Sequence, residues 1–119
     1  MDKVYLIETD KPFSCIPGNI TRTMYSVDGK YHREDGPAIE WVYGNGEWYG
    51  EEWYLNGQKH RLDGPAILWY NGEKQWWVNG DLHREDGPAI IWEDGSKEWW
   101  LNDKEYTEKK FNKIINAKV

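Results

Sequence analysis

Three histidines at equivalent points of a recurring motif are the first candidates for chemistry. His32, His60 and His83 each open a segment His-Arg-x-Asp-Gly-Pro-Ala-Ile-x-Trp, and imidazole is a common metal ligand. If two strands separate successive copies of the motif, equivalent residues lie about 9–10 Å apart. Each ligand of a zinc ion must lie within about 2.1 Å of the metal, so the three histidines cannot share one ion. We predict no metal site.

Adjacent carboxylates and one thiol are the remaining catalytic candidates. Glu34 with Asp35, and Glu85 with Asp86, could act as the acid and base of a hydrolase, but adjacent residues of a turn point apart. Cys15 is the only cysteine, which excludes an intrachain disulfide, and no histidine lies near it in the sequence to activate it. No glycine-rich phosphate-binding motif is present. We therefore expect no enzyme, no catalytic residue and no cofactor.

The arginine of each motif could contact an anion. Arg33, Arg61 and Arg84 occupy equivalent positions in a chain with 9 Trp and 8 Tyr, and arginines with stacked aromatic rings can hold bases. Direct nucleic-acid binding is nevertheless disfavoured, because phosphate backbones are bound mainly by cations. Residues 1–103 carry a net charge of −9, and only residues 104–119 are basic, at +3.

The spacing of the motif predicts a repeated hairpin. Asp-Gly-Pro-Ala-Ile occupies 35–39, 63–67 and 86–90, so the copies are 28 and then 23 residues apart. The five extra residues fall within 41–53 and predict a longer hairpin there. Each copy also contains pairs that favour two-residue type I′ turns. These pairs are Asn71-Gly72 and Asp94-Gly95, then Asn56-Gly57 and Asn79-Gly80, with Asp28-Gly29 and Asn102-Asp103 as degenerate copies.

We expect each Asp-Gly-Pro to form a corner of the chain. Aspartate initiates turns, glycine permits unusual backbone angles, and proline suits the first position of a strand. The arginine two residues before each aspartate can pair with it across the bend. The recurrence of the motif is then explained by architecture, without a ligand.

Period-2 alternation divides the strand residues between two faces. We assign the core to the face with the recurring isoleucines and tryptophans Ile39, Trp41, Ile67, Trp69, Ile90 and Trp92. The opposite face carries Glu40, Leu68 and Ile91. In the second strand of each copy Trp53, Trp76 and Trp99 alternate with Tyr54, Trp77 and Trp100. We predict a partner-binding face of Tyr54, Trp77, Trp100, Leu68 and Ile91, or a contact through Tyr43, Trp48 and Tyr49 of the long hairpin.

The fold class that follows is all-β: a single twisted antiparallel β-meander of about 23-residue hairpin repeats with a C-terminal capping helix. We predict one domain, 1–119, in which 1–22 form a strand and loop cap, 23–103 the array and 104–119 the helix. Thr107 is the expected N-cap, and Phe111, Ile114 and Ile115 lie on one stripe of the helix.

Residues 53–72 resemble a MORN-type repeat. Tyr54, Asn56, Gly57, His60, Trp69, Asn71 and Gly72 match its pattern in order. The family's His-Gly-x-Gly is replaced by the longer His-Arg-Leu-Asp-Gly-Pro, so the chain is similar to a MORN-like variant, the HREDGPA-type repeat proteins of phages, large DNA viruses and bacteria. The resemblance implies a scaffold that contacts proteins or lipids and has no common chemistry.

These observations favour a non-catalytic repeat module that binds a partner protein or a second copy of itself through aromatic residues. One alternative is a phage-encoded acidic inhibitor of a host defence nuclease, with carboxylates where phosphates would sit. A second alternative is a small nucleotide-binding sponge. No signal-peptide pattern and no apolar run of membrane-spanning length is present, so we expect no membrane insertion and a cytoplasmic location, in the host cytoplasm if a phage encodes the protein.

Overall fold

A computed structural model describes residues 5–10 and 20–118, and the predictions for Cys15 lie outside these residues. The described part is an antiparallel sheet with one helix, α1. The strands are β1 Leu6–Asp10, β2 Thr21–Val27, β3 Lys30–Tyr31, β4 Ile39–Val42, β5 Trp48–Glu52, β6 Tyr54–Leu55, β7 Gln58–Lys59, β8 Ile67–Trp69, β9 Lys74–Gln75, β10 Trp77–Val78, β11 Asp81–Leu82, β12 Ile90–Ile91, β13 Lys97–Leu101 and β14 Lys104–Tyr106, and α1 is Glu108–Ala117.

The strands form the predicted meander. The main sheet has the order β1-β2-β4-β5-β8-β9-β12-β13-β14, and β3 pairs with β2. Two short hairpins form separate two-stranded ladders. Along the chain, β6-β7 comes between β5 and β8, and β10-β11 comes between β9 and β12. All of these pairings are antiparallel. The all-β fold class is therefore confirmed.

The short hairpins have the predicted type I′ turns. Both central residues have a positive φ: 51° and 81° at Asn56-Gly57, and 51° and 84° at Asn79-Gly80. Asp28-Gly29 and Asn102-Asp103 have the same geometry, with φ of 52° and 79° and of 49° and 68°. These are the mirror-image turns that match the twist of two-residue hairpins.

The turns within the main sheet are of a different type, and the prediction of type I′ was wrong there. At 71–72 and 94–95 only the glycine has a positive φ, 94° for Gly72 and 87° for Gly95. The N–H of Gly72 donates to the carbonyl of Trp69 at 3.0 Å, and the N–H of Trp69 donates to the carbonyl of Glu73 at 3.1 Å. This is a three-residue hairpin loop, in which a type I turn is followed by a glycine bulge.

The turn type changes which side chains share a face. Ile90 pairs with Glu98 and Ile91 with Lys97, whereas a two-residue turn would pair Ile91 with Glu98. A shift of one residue in register moves every side chain of a strand to the other face. Trp100, two residues after Glu98, therefore lies on the face of Ile90, and the predicted grouping of Trp100 with Ile91 was wrong. We call the face with Ile39, Ile67 and Ile90 the core face and the opposite one the corner face.

The predicted core isoleucines are buried, but the prediction was wrong for the core tryptophans: Trp41 and Trp69 are only partly buried, and Trp92 is 38% exposed. Ala38, Ala66 and Ala89 have no exposed surface, and the isoleucine after each alanine is 3–5% exposed. The molecule is nevertheless flat, with extents of 47 × 41 × 18 Å and a radius of gyration of 16.2 Å, against about 13–14 Å for a compact domain of this length. A single layer this thin leaves most of the aromatic side chains only half-buried.

The two ends of the described chain lie at the two edges of the main sheet. At the start, β1 pairs with β2. At the end, the turn at Asn102-Asp103 returns 104–106 to the sheet as β14, so α1 begins at Glu108, as the predicted Thr107 N-cap requires, and not at the predicted segment boundary of 104. The Thr107 side chain accepts a hydrogen bond from the N–H of Lys110 at 3.2 Å, which confirms the N-cap. Phe111 is the buried residue of the helix, which contacts β13 and β14.

Candidate functional site

Each corner is closed by its arginine. The guanidinium Nε donates to the aspartate Oδ1 two residues later, and Nη1 donates to the proline carbonyl four residues later. The two distances are 3.3 and 3.2 Å for Arg33, 2.9 and 3.2 Å for Arg61, and 2.8 and 3.1 Å for Arg84. The guanidinium carbons lie 4.1, 3.9 and 3.8 Å from the ring centroids of Tyr25, Trp53 and Trp76. The predicted anion contacts are thus engaged within the fold.

The corner glycine packs closely against the same arginine. A Cβ at Gly36, Gly64 or Gly87 would lie 3.0, 3.0 or 2.9 Å from the guanidinium carbon of its own corner. The hydrogen bond from Arg61, together with its charge, lowers the pKa of Asp63 below the ordinary value. The recurring arginine, aspartate and proline of the motif therefore form one local assembly with an aromatic ring from outside the motif.

The three histidines connect successive copies of the motif. His32 Nδ1 accepts a hydrogen bond from the N–H of Asn56, His60 Nδ1 from that of Asn79, and His83 Nδ1 from that of Asn102, each at 2.9 Å. Since Nδ1 is an acceptor, a neutral imidazole carries its proton on Nε2. Within the part of the chain that the structure describes, no three histidine, cysteine, aspartate or glutamate side chains are grouped to hold a metal ion.

The predicted aromatic face is divided between the two faces of the sheet. Tyr54, Trp77 and Trp100 lie on the core face, because their O–H or N–H groups donate to Glu52, Gln75 and Glu98, at 3.1, 2.9 and 2.9 Å. Leu68 and Ile91 lie opposite, on the corner face.

Tyr54 and Trp77 also contact the preceding copy of the motif. The Tyr54 ring lies 5.3 Å from that of Tyr31, and Lys59 Nζ lies 4.6 Å from that of Trp77. Burial, and then the charge of Glu52, raise the pKa of Tyr54 well above its usual range. These side chains hold the array together and offer no continuous binding surface.

The long hairpin instead builds a cluster of aromatic rings at the turn end of the sheet. We call Trp41, Tyr43, Tyr49, Trp69 and Tyr70 the tyrosine cluster. The Tyr49 ring lies 5.2 Å from Tyr43, 4.9 Å from Tyr70 and 5.8 Å from Trp69, and Trp41 lies 5.9 Å from Trp69. Tyr70 is 57% exposed. Two of the predicted contacts, Tyr43 and Tyr49, are thus brought together.

Trp48 and Tyr70 depart from the prediction in opposite ways. Trp48 is 43% exposed but pairs with Val42, so it projects from the corner face, away from the cluster. Tyr70 was not predicted, and its N–H donates to the Tyr49 carbonyl at 2.8 Å. The sequence contained a signal for an irregular hairpin. The insertion has five residues, and an odd number cannot extend both arms of a hairpin equally. The ladder shifts register between Trp41 and Val42, where Tyr49 is the extra residue.

The chemistry of the tyrosine cluster is that of a contact surface. Partial burial, with Tyr70 and Tyr49 nearby, raises the pKa of Tyr43, so its hydroxyl stays neutral and can both donate and accept hydrogen bonds. Arg22 lies 5.2 Å from the Trp41 ring. No nucleophile paired with a base is among these side chains.

Comparisons with known proteins assign no family. Searches of protein families, of curated proteins and of solved structures found no match to the chain. Among residues 5–10 and 20–118, no helix is long and apolar enough to cross a membrane.

Proposed function

We propose that the chain is a non-catalytic module that binds a partner protein through the tyrosine cluster. The observation that carries the proposal is an exposed tyrosine, Tyr70, whose ring is stacked on Tyr49 and meets the edge of Tyr43 within the tyrosine cluster. Tyrosine, tryptophan and arginine dominate the energetics of protein interfaces. Rigid rings lose little conformational entropy when they are buried by a partner.

Two further features support this proposal. The corner and short-hairpin contacts account for the recurring residues, whereas the tyrosine cluster depends on an insertion that occurs in one copy only. Irregular residues on a regular scaffold are free to recognise a partner. The resemblance to MORN-like repeats also supports protein binding, because it implies a scaffold that contacts proteins or lipids.

The test compares two exposed aromatic residues on opposite faces. Full-length protein and the variants Tyr70→Ser and Trp48→Ser are immobilised, and proteins captured from the cells that naturally contain the chain are quantified by mass spectrometry. We expect Tyr70→Ser to reduce capture of the specific partner at least tenfold, and Trp48→Ser to leave it unchanged. Equal capture by all three proteins, or loss with Trp48→Ser alone, would contradict the proposal.

Two controls accompany this comparison. Urea unfolding of each variant checks that the fold is intact, because a substitution of a half-buried ring can also loosen the hairpin. Light scattering measures the mass in solution. A dimer that Tyr70→Ser dissociates identifies the partner as a second copy of the chain.

A further inference from the structure

We propose that the corner face carries a second binding surface, centred on Leu62, which fits an extended basic segment of a partner protein with leucine at every third position. This surface lies at the opposite end of the strands from the tyrosine cluster, and it goes beyond the function proposed above. Either surface can fail its test without affecting the other.

Leu62 breaks the motif at a position where the other copies have glutamate. Glu34 Oε1 lies 3.5 Å from His32 Nε2, and Glu85 Oε2 lies 3.1 Å from His83 Nε2. Leucine cannot make this contact with His60. Instead its side chain is 79% exposed, the highest value among the large apolar residues of the described chain. Compared with the other two copies, this position therefore lacks the contact to histidine and exposes an apolar side chain.

Leu62 separates two grooves between successive corners. The first has a volume of about 330 Å³ and contains Trp53 and Leu55 in its lining. The second has a volume of about 510 Å³ and contains Trp76 and Val78. Leu62 and Asp63 belong to the lining of both grooves. Arg33 and Arg61 also line the first groove, and Arg61 and Arg84 the second, so each groove combines two apolar side chains with two arginines. The exposed Leu62 stands between the grooves, and one partner side chain can pack on each side of it.

The rims of the grooves are acidic. Asp35, Asp63 and Asp86 are 87%, 83% and 86% exposed, whereas the corner arginines that hold them are 21–23% exposed. Glu34 and Glu85 add exposed carboxylates, of which Glu85 lies 3.5 Å from Lys118. An approaching segment therefore meets the aspartates before the corner arginines, because the arginines lie deeper and are already paired. Charge complementarity selects a basic partner.

The spacing of the grooves sets the spacing of the partner's leucines. Equivalent points of successive copies are two strands apart, which is about 9–10 Å. An extended polyproline II segment rises about 3.1 Å per residue and returns to the same side every three residues, after about 9.3 Å. Leucines three residues apart can therefore enter both grooves, with lysines between them at the carboxylate rims.

The experiment uses nuclear magnetic resonance of the full-length, nitrogen-15-labelled chain. The probe is the synthetic peptide Lys-Lys-Leu-Lys-Lys-Leu-Lys-Lys-Leu, and the control peptide has glutamate in place of every lysine. We expect saturable shift changes at Leu62, Asp63 and the groove residues with the basic peptide only. The variant Leu62→Glu should bind at least tenfold more weakly, and Leu62→Met should bind like the parent chain.

The Leu62→Glu variant separates specific binding from simple charge attraction. Glutamate occupies this position in the other two copies, so the variant should fold, and its added negative charge would strengthen non-specific binding of a lysine peptide. Equal or tighter binding to Leu62→Glu would therefore overturn the proposal. It is also overturned if the basic peptide causes no saturable change, or if the acidic peptide binds equally well.

Discussion

The recurring histidines join one copy of the motif to the next, each through a single hydrogen bond. Each histidine accepts the N–H of the first residue of the following type I′ turn. That N–H is otherwise unpaired because the turn residue leaves the ladder. A buried amide without a partner costs about 1–3 kcal/mol, so the strength of each link depends on how well water can replace the imidazole.

His32 and His83 make the same bond at different depths, which allows a direct test. The His32 side chain is 2% exposed and that of His83 is 14% exposed. We expect His32→Leu to lower the free energy of unfolding by about 2–3 kcal/mol and His83→Leu by about 1 kcal/mol, because water can reach the second N–H. Urea unfolding at neutral pH measures both. His32→Asn keeps an acceptor at the same place and should recover about half of the loss, and equal losses for the two leucine variants would contradict this reasoning.

The corner arginine is predicted to be irreplaceable by lysine. Arg61→Lys keeps the charge but loses the fork that binds Asp63 and the Pro65 carbonyl while covering Trp53. We expect a loss of about 1–2 kcal/mol from the carbonyl bond and the ring contact, measured by urea unfolding with an unchanged slope. A loss below a few tenths of a kcal/mol would show that the corner closes without its arginine.

The matched control for Arg61→Lys is Asp63→Asn, which removes only the carboxylate of the corner. The pKa of Asp63 is lowered from 3.8 in the folded chain, so its contribution to stability is present above the unfolded value and is lost as the pH falls through the lower, folded value. Asp63→Asn leaves the carbonyl bond and the ring contact in place. We expect this variant to be less destabilised than Arg61→Lys at neutral pH and to show a flatter stability profile in acid.

At the scale of elements, the turn type decided what could be predicted from the sequence. The buried isoleucines, the short type I′ hairpins and the Thr107 cap all follow from local patterns, and the structure confirms them. The face of Trp100 does not follow, because Asp94-Gly95 is compatible with a two-residue loop and with a three-residue loop. The two loops differ by one residue of register, and only long-range pairing selects between them.

The tyrosine cluster was only partly predictable for a related reason. The sequence shows that the long hairpin is aromatic, and it identifies Tyr43 and Tyr49. It does not show where the odd residue of the insertion bulges, and this bulge brings Tyr49 against Tyr70 of the neighbouring hairpin. The contact is made between strands that are adjacent only in the folded sheet.

The substitution Gly50→Ala tests how the tyrosine cluster is held in place. Gly50 in β5 pairs with Trp69 in β8, and a Cβ at residue 50 would lie 2.2 Å from Trp69 Cε3 and 3.0 Å from the Leu68 carbonyl oxygen. Gly50→Ala must therefore displace the indole, and we expect a loss of about 2–4 kcal/mol with a weaker near-ultraviolet circular dichroism signal. Glu51→Ala, in the same strand, should cost less than about 1 kcal/mol. Unchanged dichroism in Gly50→Ala would show that the ring is not held in this way.

At the scale of the whole molecule, each strand finds its main contacts in its immediate neighbours. The strongest element contacts are all between paired strands, or between α1 and the last two strands. A flat array of this kind behaves as a one-dimensional chain of coupled units. The two proposed surfaces lie at opposite ends of the strands, so one partner can be bound while the other end of every strand stays accessible.

The final prediction is that damage at one end of the array stays local. Phe111→Ala removes the buried side chain of α1 and should cost about 3–4 kcal/mol at that end. Since coupling passes only through neighbours, we expect hydrogen exchange to accelerate roughly 100-fold at the amides that link β13 and β14, measured by nuclear magnetic resonance. The Tyr25 amide, which donates to the Ala38 carbonyl at 2.7 Å, should keep its parental rate. Phe111→Leu should change both rates only slightly. If Phe111→Ala accelerates exchange uniformly from β2 to β14, the array unfolds as one cooperative unit and the neighbour-only coupling is wrong.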